Sequence, residues 1–167
     1  MRKWILRALA TIAGLVVLTA LVGLALPRGH QARRTVALAA EPSRVFDVIS
    51  DFLNYPQWRP DVTSVTVEGA GGVGTLVRED GADGPLPYRI EVFEPPTRLV
   101  ARIADPSLPF GGTWTYELRA AGSGTELTLT EDGEVYNPIF RVMQALLFSP
   151  TATLDRYIAN LEARLAR

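Results

Sequence analysis

The side chains in this chain that could do chemistry are few. There is no cysteine and only one histidine, His30, which stands in a short polar stretch just after an apolar segment. Ser-His-Asp and Cys-His nucleophile systems need an imidazole beside the nucleophile, and His/Cys metal sites need several such ligands, so both are excluded from the region that follows. Carboxylates, tyrosines and arginines remain for acid–base work. Gly69-Ala-Gly71-Gly-Val-Gly74 spells a dinucleotide fingerprint, but that fingerprint works by opening a helix whose N-terminus meets a pyrophosphate. Thr75-Leu-Val-Arg-Glu alternates like a strand, so the glycines are predicted to form a hairpin turn. Glu131 is the carboxylate of most interest. It shares parity with Leu127 and Leu129 and is expected to point inward with them, where it needs a partner or a raised pKa. A structural ion pair with Arg78 or Arg141 is one reading and a ligand or catalytic role the other, unless Asp132-Gly133-Glu134 forms a bulge that turns the strand outward. No catalytic residue, metal site or cofactor is predicted.

These groups need a scaffold, and the pattern of apolar residues supplies one. Thr35–Ala40 reads as a first strand. Glu41-Pro42-Ser43 opens a helix through Ser50, with Val45, Phe46, Val48 and Ile49 as its stripe. Tyr55, Pro56, Trp58 and Pro60 make an aromatic connection too proline-rich for a long helix. From Val62 the period becomes two. Six strands follow at 62–68, 74–80, 87–93, 98–105, 113–120 and 125–135, an antiparallel meander with one apolar and one hydroxylated face. Asn137 to Arg167 then reads as a long helix with an apolar face, capped at Asn137 and kinked or restarted at Ser149-Pro150.

Before all this, Ala8–Leu26 runs nineteen residues without a charge, about 28 Å of helix and close to the thickness of a bilayer's hydrocarbon core. The run is longer than the core of a cleaved signal peptide, so residues 5–26 are read as a single-pass span of the cell membrane. Basic residues flank it on both sides, and the short leading tail favours an extracytoplasmic folded domain. The division expected is an anchor at 1–27, a tether at 28–33 and a self-contained domain at 34–167. Beyond Pro27 lie all 18 acidic and 14 of the 17 basic residues, a net charge of −4, which is not the balance of a nucleic-acid-binding surface.

The order strand, helix, aromatic connection, six strands, long helix, together with Pro42–Val45-Phe46, Asp51, Tyr55-Pro56–Trp58–Pro60, Trp114–Tyr116–Leu118 and Gly124-Thr125–Leu127–Leu129, resembles the START-like (SRPBCC) superfamily and within it the polyketide cyclase/dehydrase and lipid-transport family. The resemblance implies an α+β helix-grip, in which a seven-stranded antiparallel sheet curls around the C-terminal helix, here preceded by one transmembrane helix. It also implies a cavity between sheet and helix for a lipid or other hydrophobic small molecule.

Shared faces nominate the walls of that cavity. Tyr88, Ile90 and Val92 lie on one strand, Leu99 and Ile103 on the next, then Trp114 with Tyr116, and Leu129 with Glu131. Met143, Leu146 and Leu147 are expected to face them from the terminal helix. Aromatic stripes of this kind serve equally as packed core. The function expected is membrane-anchored, non-catalytic binding of a hydrophobic ligand. The alternatives are a cyclase or dehydratase acting on a polyketide-like substrate, and a tethered interaction module whose cavity is filled.

Overall fold

The structure is a computed structural model and describes residues 2–82, 84–147, 149 and 151–167, without the side chain of Leu147. Its first element is helix α1 (Arg2–Ala25), whose apolar side chains are almost all exposed. The folded part is one seven-stranded antiparallel sheet with strands β1 (Gly29–Leu38), β2 (Val62–Glu68), β3 (Leu76–Gly81), β4 (Gly84–Glu94), β5 (Arg98–Ile103), β6 (Phe110–Ala121) and β7 (Gly124–Val135). They are arranged β1-β7-β6-β5-β4-β3-β2, so β2 to β7 form the expected meander and β1 closes on its last strand.

Helix α2 (Pro42–Ser50) buries Val45, Phe46 and Ile49 and rests Phe46 edge-on against Phe93, ring centroids 5.3 Å apart. Pro42 occupies its first turn, where a missing N–H costs nothing. A 3₁₀ turn (Phe52–Gln57) follows, and Tyr55 fixes it by donating its hydroxyl to the Ile49 carbonyl at 2.6 Å. Trp58 then drops into the core edge-on to Tyr55 and Tyr157.

Two expectations change. Residues 28–33 are not a free tether. From Gly29 onward they are strand, because the long β7 offers paired backbone groups as far as Glu134 and a buried edge there would go unsatisfied. The C-terminal segment divides into two helices between Leu147 and Ala152, where the interruption was expected, but only the second lies on the sheet. Helix α4 (Ala152–Leu165) grips the sheet with Leu154, Tyr157, Ile158 and Leu161, whereas α3 (Pro138–Leu147) leaves the sheet and packs against α1. Asn137 caps α3 as expected, accepting from the Ile139 N–H at 2.9 Å. Pro150, where the kink was placed, lies outside the described residues, and the residue preceding α4 is Thr151 rather than Ser149.

The junction with α1 is tight. A Cβ on Gly23 would overlap the Pro138 carbonyl oxygen, so only glycine allows this approach. Arg141 is 5 % exposed, and its guanidinium donates to the carbonyls of Gly23 (3.0 Å), Val135 (2.8 Å) and Tyr136 (2.9 Å). It thereby satisfies carbonyls that α1 and β7 leave open at their C-terminal ends. The domain is therefore clamped to α1, and the self-contained unit expected at 34–167 shares this contact.

Trp58 is 7 % exposed and touches both the connection and α4. Trp58→Ala is expected to destabilise by about 3–5 kcal/mol through the cavity it leaves, read as a lowered denaturant midpoint with unchanged m-value. An unchanged midpoint would contradict the role of the ring as a plug.

Candidate ligand-binding site

Between α4 and the sheet lies a cavity of about 520 Å³. Its apolar walls come from alternate positions on consecutive strands: Val77 on β3, Ile90 on β4, Leu99 and Ala101 on β5, and Trp114 and Tyr116 on β6. The register explains the grouping, since Ala101 pairs with both Ile90 and Trp114, and Leu99 with Tyr116. Cross-strand partners share a face, so one row of four strands makes one surface. Phe52, Tyr55 and Tyr157 close the cavity from the helical side.

One end is polar. Arg59, whose side chain is 12 % exposed, donates to Glu79 at 2.8 Å and to Asp61 at 2.9 Å. Its guanidinium carbon stands 4.9 Å from the Tyr55 ring centre and 5.4 Å from that of Tyr157, within cation–π range. Burial pushes the Glu79 carboxyl above its ordinary value despite the opposing pull of Arg59. Burial acts upward on Asp61 too, but there the Arg59 hydrogen bond and charge outweigh it and hold the carboxyl low. Tyr55, Tyr88, Tyr116 and Tyr157 all have raised pKa values, chiefly from burial, so each stays a neutral phenol. Tyr157 is 4 % exposed, and its hydroxyl faces the phenols of Tyr55 and Tyr116 without a hydrogen bond of good geometry to either. A buried hydroxyl left unpaired is unfavourable by about 1–3 kcal/mol, which an acceptor on a bound molecule would relieve.

Of the residues nominated from sequence, Tyr88, Ile90, Leu99, Trp114 and Tyr116 line this cavity. The others do not. A register shift between Ile90 and Val92 reverses the parity of β4, turning Phe93 toward the core and pairing Val92 with Val100 on the other face. Ile103 continues the row of Leu99 and Ala101 past the cavity, and Leu129 is fully buried in packed core. Glu131 is half-buried outside the cavity, and its carboxylate lies 3.9 Å from His30 Nε2 rather than beside Arg78 or Arg141. Burial raises its pKa. Met143 and Leu146 sit exposed on α3, away from the sheet, and the side chain of Leu147 lies outside the described residues.

The polar end was missed. Glu79 shares parity with Val77, and Tyr157 sits at helical spacing among Leu154, Ile158 and Leu161, so both could have been placed inside. Arg59 lies between two prolines where no period operates, and only the tertiary structure places it.

Glu79 also gives a pH test. With its folded pKa above its ordinary value of 4.5, the folded state keeps a proton that the unfolded chain has lost. Its contribution is therefore complete below that value and declines as pH rises through the folded pKa. Thermal unfolding of the wild type is expected to lose ground relative to Glu79→Gln as pH rises above about 4.5. Parallel curves would show that the carboxyl is not shifted upward.

Comparison with known proteins agrees with this architecture. No curated protein sequence matches the chain at significant similarity. A START superfamily protein from Mycobacterium smegmatis superposes with a TM-score of 0.65 at 19% identity, covering 82% of this chain and 97% of that one. Norcoclaurine synthase from Thalictrum flavum, in complex with dopamine and hydroxybenzaldehyde, gives 0.65 at 12% identity, covering 83% and 87%. Ara h 8.0201 gives 0.62 at 15%, covering 83% and 98%. Identities this low establish a shared fold alone. The sequence family described as polyketide cyclase / dehydrase and lipid transport matches residues 29–166, from the first strand nearly to the end of α4, and the chain belongs to that family.

Proposed function

We propose that this protein is a membrane-anchored, non-catalytic binder of a lipophilic small molecule or lipid that carries one hydrogen-bond acceptor at its polar end. The observation that carries the reading is the cavity. About 520 Å³ falls within the usual range for small-molecule sites, and the apolar walls with one polar end fit an amphiphile. A space of this size argues against a domain whose interior is filled by its own side chains. In this reading the Tyr157 hydroxyl donates to the ligand's acceptor.

The absence of catalysis is supported by the state of the lining groups. The tyrosines resist ionisation, Glu79 is engaged by Arg59, and His30 is not among the lining residues. A cyclase- or dehydratase-type enzyme is the second reading, favoured by the raised pKa of Glu79 at the cavity wall, which suits a general acid or base. Turnover of a polyketide-like substrate by the wild type, abolished in Glu79→Gln, would replace the first reading with the second.

Anchoring is supported by α1, with mean hydropathy 2.4 over its most apolar 18 residues and 6% of that stretch buried. A signal sequence passes the same test of length and composition. Retention of α1 is favoured because its removal would strip the buried Arg141 of the Gly23 and Leu26 carbonyls.

Two substitutions test the ligand reading with a fluorescent fatty-acid probe. Ala101→Phe fills the cavity and is expected to weaken binding at least tenfold, about 1.4 kcal/mol, with little change in the unfolding midpoint. Tyr157→Phe removes only the hydroxyl. It is expected to weaken the carboxylate-bearing probe by about 0.5–1.5 kcal/mol and to leave a hydrocarbon analogue unaffected. Equal binding by the wild type and Ala101→Phe would contradict the cavity as the site.

A further inference from the structure

Helix α3 has two dissimilar faces. Arg141 and Gln144 face inward, Arg141 to the ends of α1 and β7 and Gln144 to His30, 3.3 Å from its ring nitrogens. Ile139, Phe140, Met143 and Leu146 recur on the other side at helical spacing, and all four are exposed, Leu146 to 76%. The helix contains no acidic residue, and its only charge is the buried Arg141. An apolar stripe of this kind on the surface of a folded domain marks a site of contact.

The position of α3 says with what. Along the last turns of α1, Gly23 is buried and Thr19 and Ala20 are half-buried, all on the side where α3 packs, while the neighbouring apolar residues stay exposed. Small residues at such a crossing let the two backbones approach closely, as between helices within membranes. Gly23, which touches Pro138, is three residues from the end of the uncharged run at Leu26. At about 1.5 Å per residue, that places the start of α3 roughly 5 Å inside the apolar segment. If α1 crosses a bilayer, α3 must lie at the boundary between its acyl chains and headgroups.

We infer that α3 is a second membrane contact, an interfacial helix whose Ile139, Phe140, Met143 and Leu146 are buried in the same lipid leaflet that α1 leaves. The inference rests on the reading of α1 as a retained span. It also orients the domain. Strand registers place Gly29, Val62, the Gly81–Gly84 turn and Val135 at one end of the sheet, the end joined to α1 and α3. The exposed residues of the cavity rim, Ala82, Gly84, Thr153 and Arg156, belong to that turn and to the start of α4. The cavity mouth is therefore at the membrane-facing end, where a ligand exchanges with the leaflet rather than with bulk water.

The chain has no cysteine, so single-cysteine labelling is clean. Full-length Leu146→Cys and Met143→Cys, labelled with NBD, are reconstituted in phosphatidylcholine/phosphatidylglycerol liposomes containing nitroxide-labelled phospholipid. Val73→Cys, 69% exposed in the turn at the far end of the sheet, is the control. About twofold or greater quenching is expected for both α3 labels, and none for Val73. Alkaline carbonate extraction of the same preparations tests α1 separately. A protein that resists extraction while both α3 labels report water overturns the inference and leaves the anchor standing, whereas release by carbonate removes the anchor. Blue-shifted emission that nitroxide lipid does not quench would mean a protein partner or second copy on α3, and also overturns it. Retained probe binding shows that the labelled proteins are folded.

Discussion

The cavity depends on how Arg59 is held. A guanidinium with so little exposure is tolerated only when its charge is matched and its donors are used, and Asp61 and Glu79 do both while Tyr55 and Tyr157 cover its faces. These partners come from the connection after α2, from β3 and from α4. The cluster therefore ties together the three elements that enclose the space at one end. Toward the other end Leu127 and Leu161 are fully buried and the interior is closed. One helix thus makes both a packed core and a void. The difference lies in what meets it, leucines at one end and a charged cluster with bulky rings at the other.

Much of the scaffold was legible because it follows from period. Val65–Glu68 alternates, β2 has the expected bounds Val62–Glu68, and Val45, Phe46 and Ile49 form the buried stripe of α2. The failures have physical causes. Val92 was misplaced because an extra residue in β4 cannot be seen in an alternation that reads equally well through it. Met143 and Leu146 were given to the sheet because an apolar stripe does not say what covers it, and α3 uses its stripe elsewhere. His30 reads as part of a tether because β1 begins earlier than its apolar pattern, with His30 paired to Gly133. Arg59 has no local signal at all, since its burial depends on Glu79, twenty residues on, and on Tyr157, nearly a hundred residues on.

The α1–α3 junction bears on the proposed anchoring. A flexible tether would let the domain wander over the membrane surface, whereas only Leu26, Pro27 and Arg28 separate α1 from β1, and Arg141 bonds across the joint. Each of its bonds is modest alone, but the group is buried, so removing a partner leaves a charged donor unsatisfied, which costs more than the bond itself. Fold and α1 are therefore coupled, and the sheet end that carries the cavity rim is the end joined to α1.

The most direct test of the central claim, that the space between α4 and the sheet holds a lipophilic ligand, is native mass spectrometry of the full-length protein released from nanodiscs. The account predicts a one-to-one adduct of lipid-like mass that survives gentle activation in the wild type and is lost when Ala101 is replaced by phenylalanine. Bare protein in both preparations, or an adduct retained when the cavity is filled, would contradict it.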